Sequence, residues 1–68
     1  MQNSPIFSII TPTFNRAHTL HRVYASLVTQ TFTDFEWIII DDGSTDNTRE
    51  QVMQWQKAVS FCIHYFYQ

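Results

Sequence analysis

Sixty-eight residues at 8.1 kDa make one domain at most, or part of one, and 44% hydrophobic against 15% charged residues argues against a disordered chain. A net charge of −2 with four scattered Lys and Arg residues leaves no electrostatic footprint for a nucleic-acid backbone or an anionic membrane. Nucleic acid is therefore not an expected partner.

The first 15 residues contain no Lys or Arg and carry Asn3, Ser4 and Pro5 where a signal peptide needs a basic start and an apolar run. No stretch approaches the roughly 18 consecutive apolar residues of a membrane span, so a soluble chain is expected. Phe7 to Thr11 is a short β-branched run that reads as strand one, stopped by Pro12 because proline supplies no amide hydrogen to a ladder. Leu20, Val23, Tyr24, Leu27 and Val28 fall at i, i+3, i+4, i+7 and i+8, one apolar face of a helix that starts within Asn15 to Thr19 and ends near Gln30. The polar side chains of that start are able to cap the first free amides.

Phe35 to Ile40 reads as strand two, and its run of three isoleucines suits a central strand covered on both faces. A polar turn, Asp41 to Thr45, follows. Its Gly43 is the chain's single glycine, which excludes the dinucleotide fingerprint, the phosphate loop and the nucleophile elbow, all of which need at least two. Asn47 with Glu50 three residues on resembles a capping pair opening a second helix, whose buried side is Val52, Trp55 and Val59. Phe61 to Tyr67 is aromatic-rich and reads as strand three. The single Cys62 forbids an internal disulfide, has no visible base partner, and is expected to be a buried, inert thiol of a reducing compartment.

Strand, helix, strand, helix, strand with short connections implies an α/β class chain: a partial Rossmann-like βαβαβ unit with a three-stranded parallel sheet. Ligands of such sheets lie beyond the carboxyl ends of the strands. Those ends carry Thr11 to Asn15 and Asp41 to Ser44. The Asp41–Asp42 pair either delivers a carboxylate to the crevice or merely caps the next helix and solvates a turn, and spacing alone leaves both open. Phe14 is either a face for a planar ligand or a core aromatic, with the apolar area of its ring favouring the core.

These residues bring a family into view. The run Ser8, Ile9, Ile10, Thr11, Pro12, Thr13, Phe14, Asn15, Arg16, the later Gln30, Thr31, Phe32 before Asp34, Phe35, Glu36, and above all Ile38 to Thr48 (IIIDDGSTDNT) resemble the family 2 glycosyltransferases, from about Phe7 to Gln68. The resemblance implies the start of a GT-A fold: residues 1–68 are the N-terminal nucleotide-binding part of such a domain, truncated before the DxD motif. It implies a nucleotide diphosphate sugar, most often a UDP-sugar, as donor, with a divalent cation (Mg or Mn) in the full-length enzyme. By position, Phe14 lies against the base, Pro12 offers its carbonyl, Asp42 receives the base N–H, and Asp41 supports the turn or neighbours the ribose. Phe14 stands where a tyrosine is more usual in the family, which keeps a stacking face and loses a hydroxyl.

Sugar transfer needs a stabilised diphosphate leaving group, generally through a metal clamp, and a general base for the acceptor. This sequence contains no DxD, since Asp41 and Asp42 are adjacent and Asp46 stands four residues beyond Asp42. No catalytic residue and no metal ligand is therefore assigned, and the isolated chain is expected to transfer no sugar. His18 and His21 have no third ligand near in sequence, and His64 reads as a satisfied sheet residue. Asp42, Ser44 and a histidine make no hydrolytic triad without an elbow or oxyanion loop. The competing readings are a noncatalytic remnant or interaction module and a receiver-like phosphoacceptor domain, the latter departing at strand ends one and three. Strand one, interior in the family's sheet, is expected to expose an apolar edge here and to favour self-association. The expected setting is cytoplasmic, where nucleotide sugars are available.

Overall fold

A computed structural model describes residues 7–30 and 34–68. Thr31 and Phe32 of the second matched motif, and Asn3, Ser4 and Pro5, lie outside the described residues. The elements run β1 (Phe7–Thr13), α1 (Ala17–Val28), β2 (Phe35–Asp41), α2 (Thr48–Ala58) and β3 (Cys62–Tyr67). The three strands are parallel in the order β1-β2-β3, with Phe7 opposite Phe35, Thr13 opposite Asp41 and Asp41 opposite Tyr67. The βαβαβ unit expected from the alternation of periods is therefore present, with β2 central.

Pro12 does not stop β1, which continues to Thr13. The Asp42 amide donates to the Thr13 carbonyl at 2.9 Å, so the polar backbone groups of Thr13 face β2. Alternation then turns those of Pro12 outward along the sheet edge, where a missing N–H costs nothing.

The three isoleucines are not covered on both faces. Burial in β2 alternates, with Phe35, Trp37, Ile39 and Asp41 inside and Glu36, Ile38 and Ile40 only partly covered. Two crossovers of one hand, advancing in one direction across the sheet, put both helices on the same face. That face holds the core: Leu20 of α1, Val52 and Trp55 of α2, and Phe35, Trp37, Ile39, Phe61 and Ile63. The Tyr24 and Trp55 rings stack at 4.3 Å between centroids, 6° from parallel, and Trp37 lies 5.8 Å from Trp55. The helix-facing row thus binds α1, α2 and the sheet through aromatic contact. Val59 joins the core from just beyond α2, whereas Val28, at the end of α1's predicted stripe, is exposed.

On the other face stand Ser8, Ile10 and Pro12, then Glu36, Ile38 and Ile40, then Cys62, His64 and Phe66. Ile10 is 62% exposed there. Glu36 ties the three strands together, accepting from Ser8 Oγ at 2.5 Å and meeting His64 Nε2 at 3.0 Å. His64 is thus satisfied in the sheet as expected, but Cys62 is exposed rather than buried, because its position on β3 falls on the uncovered face.

Helix capping also differs from the sequence reading. Neither Arg16, at the start of α1, nor Asn47, at the start of α2, caps with its own side chain. Asp46 does both jobs: its Oδ2 accepts from the Ala17 amide at 3.3 Å, and its Oδ1 accepts from the Thr48 amide at 3.1 Å and the Thr48 hydroxyl at 2.5 Å. The bonds from Thr48, first of all, hold its carboxyl below the usual aspartate range.

Candidate functional site

The carboxyl ends of β1 and β2 lead into two loops, residues 14–16 and 42–47, which Asn15 joins. Asn15 adopts a left-handed backbone (φ 49°), a conformation asparagine tolerates better than most residues. Its amide donates to Ser44 Oγ at 2.7 Å, while its Oδ1 accepts from the Thr45 amide at 2.7 Å and the Asp46 amide at 3.3 Å. Gly43 supplies the second left-handed residue (φ 86°), which lets the chain reverse after Asp42.

The two adjacent acids have opposite circumstances. Asp41 ends the helix-facing row of β2 and is fully buried. Its Oδ1 accepts from the Ser44 amide at 2.8 Å and its Oδ2 accepts from the Tyr65 hydroxyl. Burial pushes its carboxyl up, but the bonds from Ser44 and Tyr65 outweigh that and hold it below the ordinary value. Of the two roles left open for Asp41, this geometry is that of turn support.

Asp42, on the alternate side, is exposed. Its backbone is fixed by the bond to Thr13, yet among the described residues its carboxylate makes no hydrogen bond. Every other polar side chain from Asp41 to Asp46 bonds within the chain. Phe14 follows Thr13, the register partner of Asp41, and its ring is 53% exposed rather than part of the core. The reason is alternation: Thr13 takes the inward place at the end of β1, so Phe14 falls beyond the last covered row. Pro12 is exposed one residue earlier. Asp42, Phe14 and Pro12 therefore stand at one end of the sheet, on neighbouring chain segments.

Four contributors escaped the sequence reading. Asn15 and Asp46 weld the loops. Tyr65 and Tyr67 brace the turn from β3, the latter donating to the Ser44 carbonyl at 3.1 Å. Left-handed asparagine in a loop is a recognisable turn signal, but the reach of a tyrosine hydroxyl across strands has no signature in spacing. Among the described residues the buried Thr13 hydroxyl has no hydrogen-bond partner.

Chemically, the end of the sheet offers an exposed acceptor carboxylate and an exposed aromatic ring on neighbouring strand ends, groups of the kind that meet a heterocycle with an N–H edge. It does not fit a metal ion. Asp41 and Asp46 spend their oxygens on amides and hydroxyls, and among the described residues no three His, Cys, Asp or Glu side chains gather. A groove of about 320 Å³ at the opposite end, lined by Tyr24, Leu27, Val28, Gln30, Ser60 and Phe61 among others, carries no carboxylate, imidazole or thiol among the described residues. No described helix is long and apolar enough to cross a membrane.

The family model described as Glycosyl transferase family 2 matches residues 8–68. The validoxylamine A glucosyltransferase of Streptomyces hygroscopicus subsp. jinggangensis is 41% identical over 66 residues, which are 94% of this chain and 15% of that protein. The Escherichia coli UDP-Glc:alpha-D-GlcNAc-diphosphoundecaprenol beta-1,3-glucosyltransferase is 38% identical over 53 residues, 78% of this chain and 21% of that protein. The poly(ribitol-phosphate) beta-N-acetylglucosaminyltransferase of Staphylococcus aureus is 55% identical over 42 residues, 59% of this chain and 13% of that protein. The chain thus spans a small part of the length of each relative. No solved structure matches it.

Proposed function

The chain belongs to glycosyl transferase family 2, and from that premise we propose that its strand ends form the nucleobase-holding part of a nucleotide diphosphate sugar site. The observation that carries the reading is Asp42: an exposed carboxylate without an internal partner among the described residues, on a turn whose other polar side chains are all engaged. A uracil ring stacks on Phe14 and donates its single N–H to Asp42, while the Pro12 carbonyl, turned away from β2, is open to a donor other than the base, such as a ribose hydroxyl. The Escherichia coli relative is named for UDP-Glc, which supports uracil as the base.

The magnitudes limit affinity. Stacking contributes about 1–3 kcal/mol, and a hydrogen bond to a charged carboxylate about 1.5–3 kcal/mol. After ordering costs the sum corresponds to about millimolar affinity or weaker. Titration with uridine monophosphate, followed by NMR, is expected to shift the resonances of Phe14 and Asp42 with a millimolar midpoint. Shifts confined to other residues overturn the assignment.

A divalent cation, which the resemblance implies for the whole enzyme, finds no ligand set among the described residues. The 68-residue chain alone is expected to transfer no sugar. Release of labelled sugar from a UDP-sugar by this chain, dependent on Mg or Mn, contradicts that. Its setting is the cytoplasm, where such donors are available. The edge position of β1 and the exposed Ile10 favour association between copies. Sedimentation is expected to give a mass that rises with concentration, and a constant monomer mass removes the idea.

A further inference from the structure

β3 ends in two hydroxyls that packing does not require. Phe61 just before the strand and Phe66 within it provide aromatic bulk without one. For the half-buried Tyr65, a hydroxyl withdrawn from water is costly unless it is bonded. Tyr65 and Tyr67 are both bonded, and to the same turn. Tyr65 donates to Asp41 Oδ2, Tyr67 donates to the Ser44 carbonyl at 3.1 Å, and the next amide, that of Gln68, donates to the Asp41 carbonyl at 2.8 Å. The Arg49 guanidinium lies over the Tyr67 ring at 4.3 Å and fixes it in place. On the opposite flank Thr13 and Asn15 hold Asp42 and Ser44.

We infer that Tyr65 and Tyr67 are positioning residues for the nucleotide site, clamping the Asp41–Ser44 turn from the β3 side so that the Asp42 carboxylate is presented in one orientation. The inference rests on the reading of Asp42 as acceptor for the base. Burial, and then the bond and charge of Asp41, push the Tyr65 phenol up to about 12, so it remains a donor throughout the neutral range. Neither tyrosine touches the ligand. Their effect passes through Asp41 and Ser44.

The test uses the 68-residue chain and its Tyr65→Phe and Tyr67→Phe variants, which keep the ring and lose only the hydroxyl. Without ligand, Tyr65→Phe is expected to speed exchange of the Ser44 amide about tenfold while the Leu20 amide of α1 is unchanged. The Asp41 carboxyl, followed by carbon NMR, is expected to titrate higher in that variant, since one of the bonds that holds it down is gone. Tyr67→Phe is expected to speed Ser44 exchange without moving the Asp41 titration, a split that general loosening of the fold does not produce. Titration with uridine diphosphate is expected to show a Kd raised about three- to tenfold in either variant.

Unchanged Ser44 exchange together with an unmoved Asp41 titration overturns the inference, whatever the nucleotide does. A wild-type chain whose Phe14 and Asp42 signals ignore uridine diphosphate overturns the nucleotide reading instead, and the ligand-free measurements still decide the tyrosines. Should Tyr65→Phe lose the protection of Leu20, Tyr67→Phe, altered at the exposed rim, supplies the deciding exchange rate.

Discussion

Trp37→Ala is expected to leave the chain unfolded, or nearly so, at room temperature. Trp37 is 0% exposed at the middle of the central strand, packed against Tyr24 and Trp55, and its indole N–H donates to the Thr11 hydroxyl at 2.9 Å. Truncating such a ring costs about 3–5 kcal/mol, from lost transfer energy and the cavity left behind. A folded chain of this length has on the order of 3–10 kcal/mol in total. Trp37→Phe separates the contributions, keeping most of the aromatic contact while giving up the bond to Thr11, which solvent replaces at low cost because Thr11 is only partly buried. Urea unfolding followed by far-ultraviolet circular dichroism measures both. A Trp37→Ala chain with the wild-type midpoint contradicts the placement of the core.

Asp41→Asn is expected to lower stability at neutral pH by on the order of 2–3 kcal/mol and to flatten its dependence on acid. The buried carboxylate accepts from the Ser44 amide and the Tyr65 hydroxyl, each a charge-assisted bond. An amide in its place is neutral and turns one donor edge towards groups that themselves donate. The sign of the pH effect follows from the direction of the shift. The Asp41 carboxyl is held below its unfolded value, so its contribution is complete above the unfolded value near pH 4 and is lost as pH falls through the folded one. Wild-type urea midpoints are expected to hold from pH 7 to about 5 and to drop below about 4, with Asp46 adding to the slope because its carboxyl is also held low. The variant should start lower and lose less. Equal midpoints at pH 7 would show that the two bonds contribute nothing.

The order of elements was legible because periodicity survives in so short a chain. The stripe from Leu20 to Leu27 and the β-branched runs at Ile9 and Ile38 each match the structure's helix or strand. What escaped was whatever depends on which side of an element faces a neighbour. Pro12 looks like a stop unless it is known that β1 lies at an edge with that position turned outward. Ile38 and Ile40 look doubly covered unless it is known that both helices share one face. The capping-pair pattern points to Asn47 because it is local, whereas Asp46 serves a helix start about thirty residues away in sequence. At the candidate site the residue types were visible in the DDGS run, but their division of labour was not. Only burial separates Asp41, whose oxygens are spent inside, from Asp42, whose oxygens are available.

The long sequence separation of the bonds around Asn15 has a kinetic consequence. Its partners Ser44, Thr45 and Asp46 stand 29 to 31 positions away, so the first helix and second strand must already be docked before the two loops can meet. Closing that span costs entropy that only native pairing returns. Ligand-binding competence should therefore emerge late during refolding and vanish early when the sheet's first strand frays.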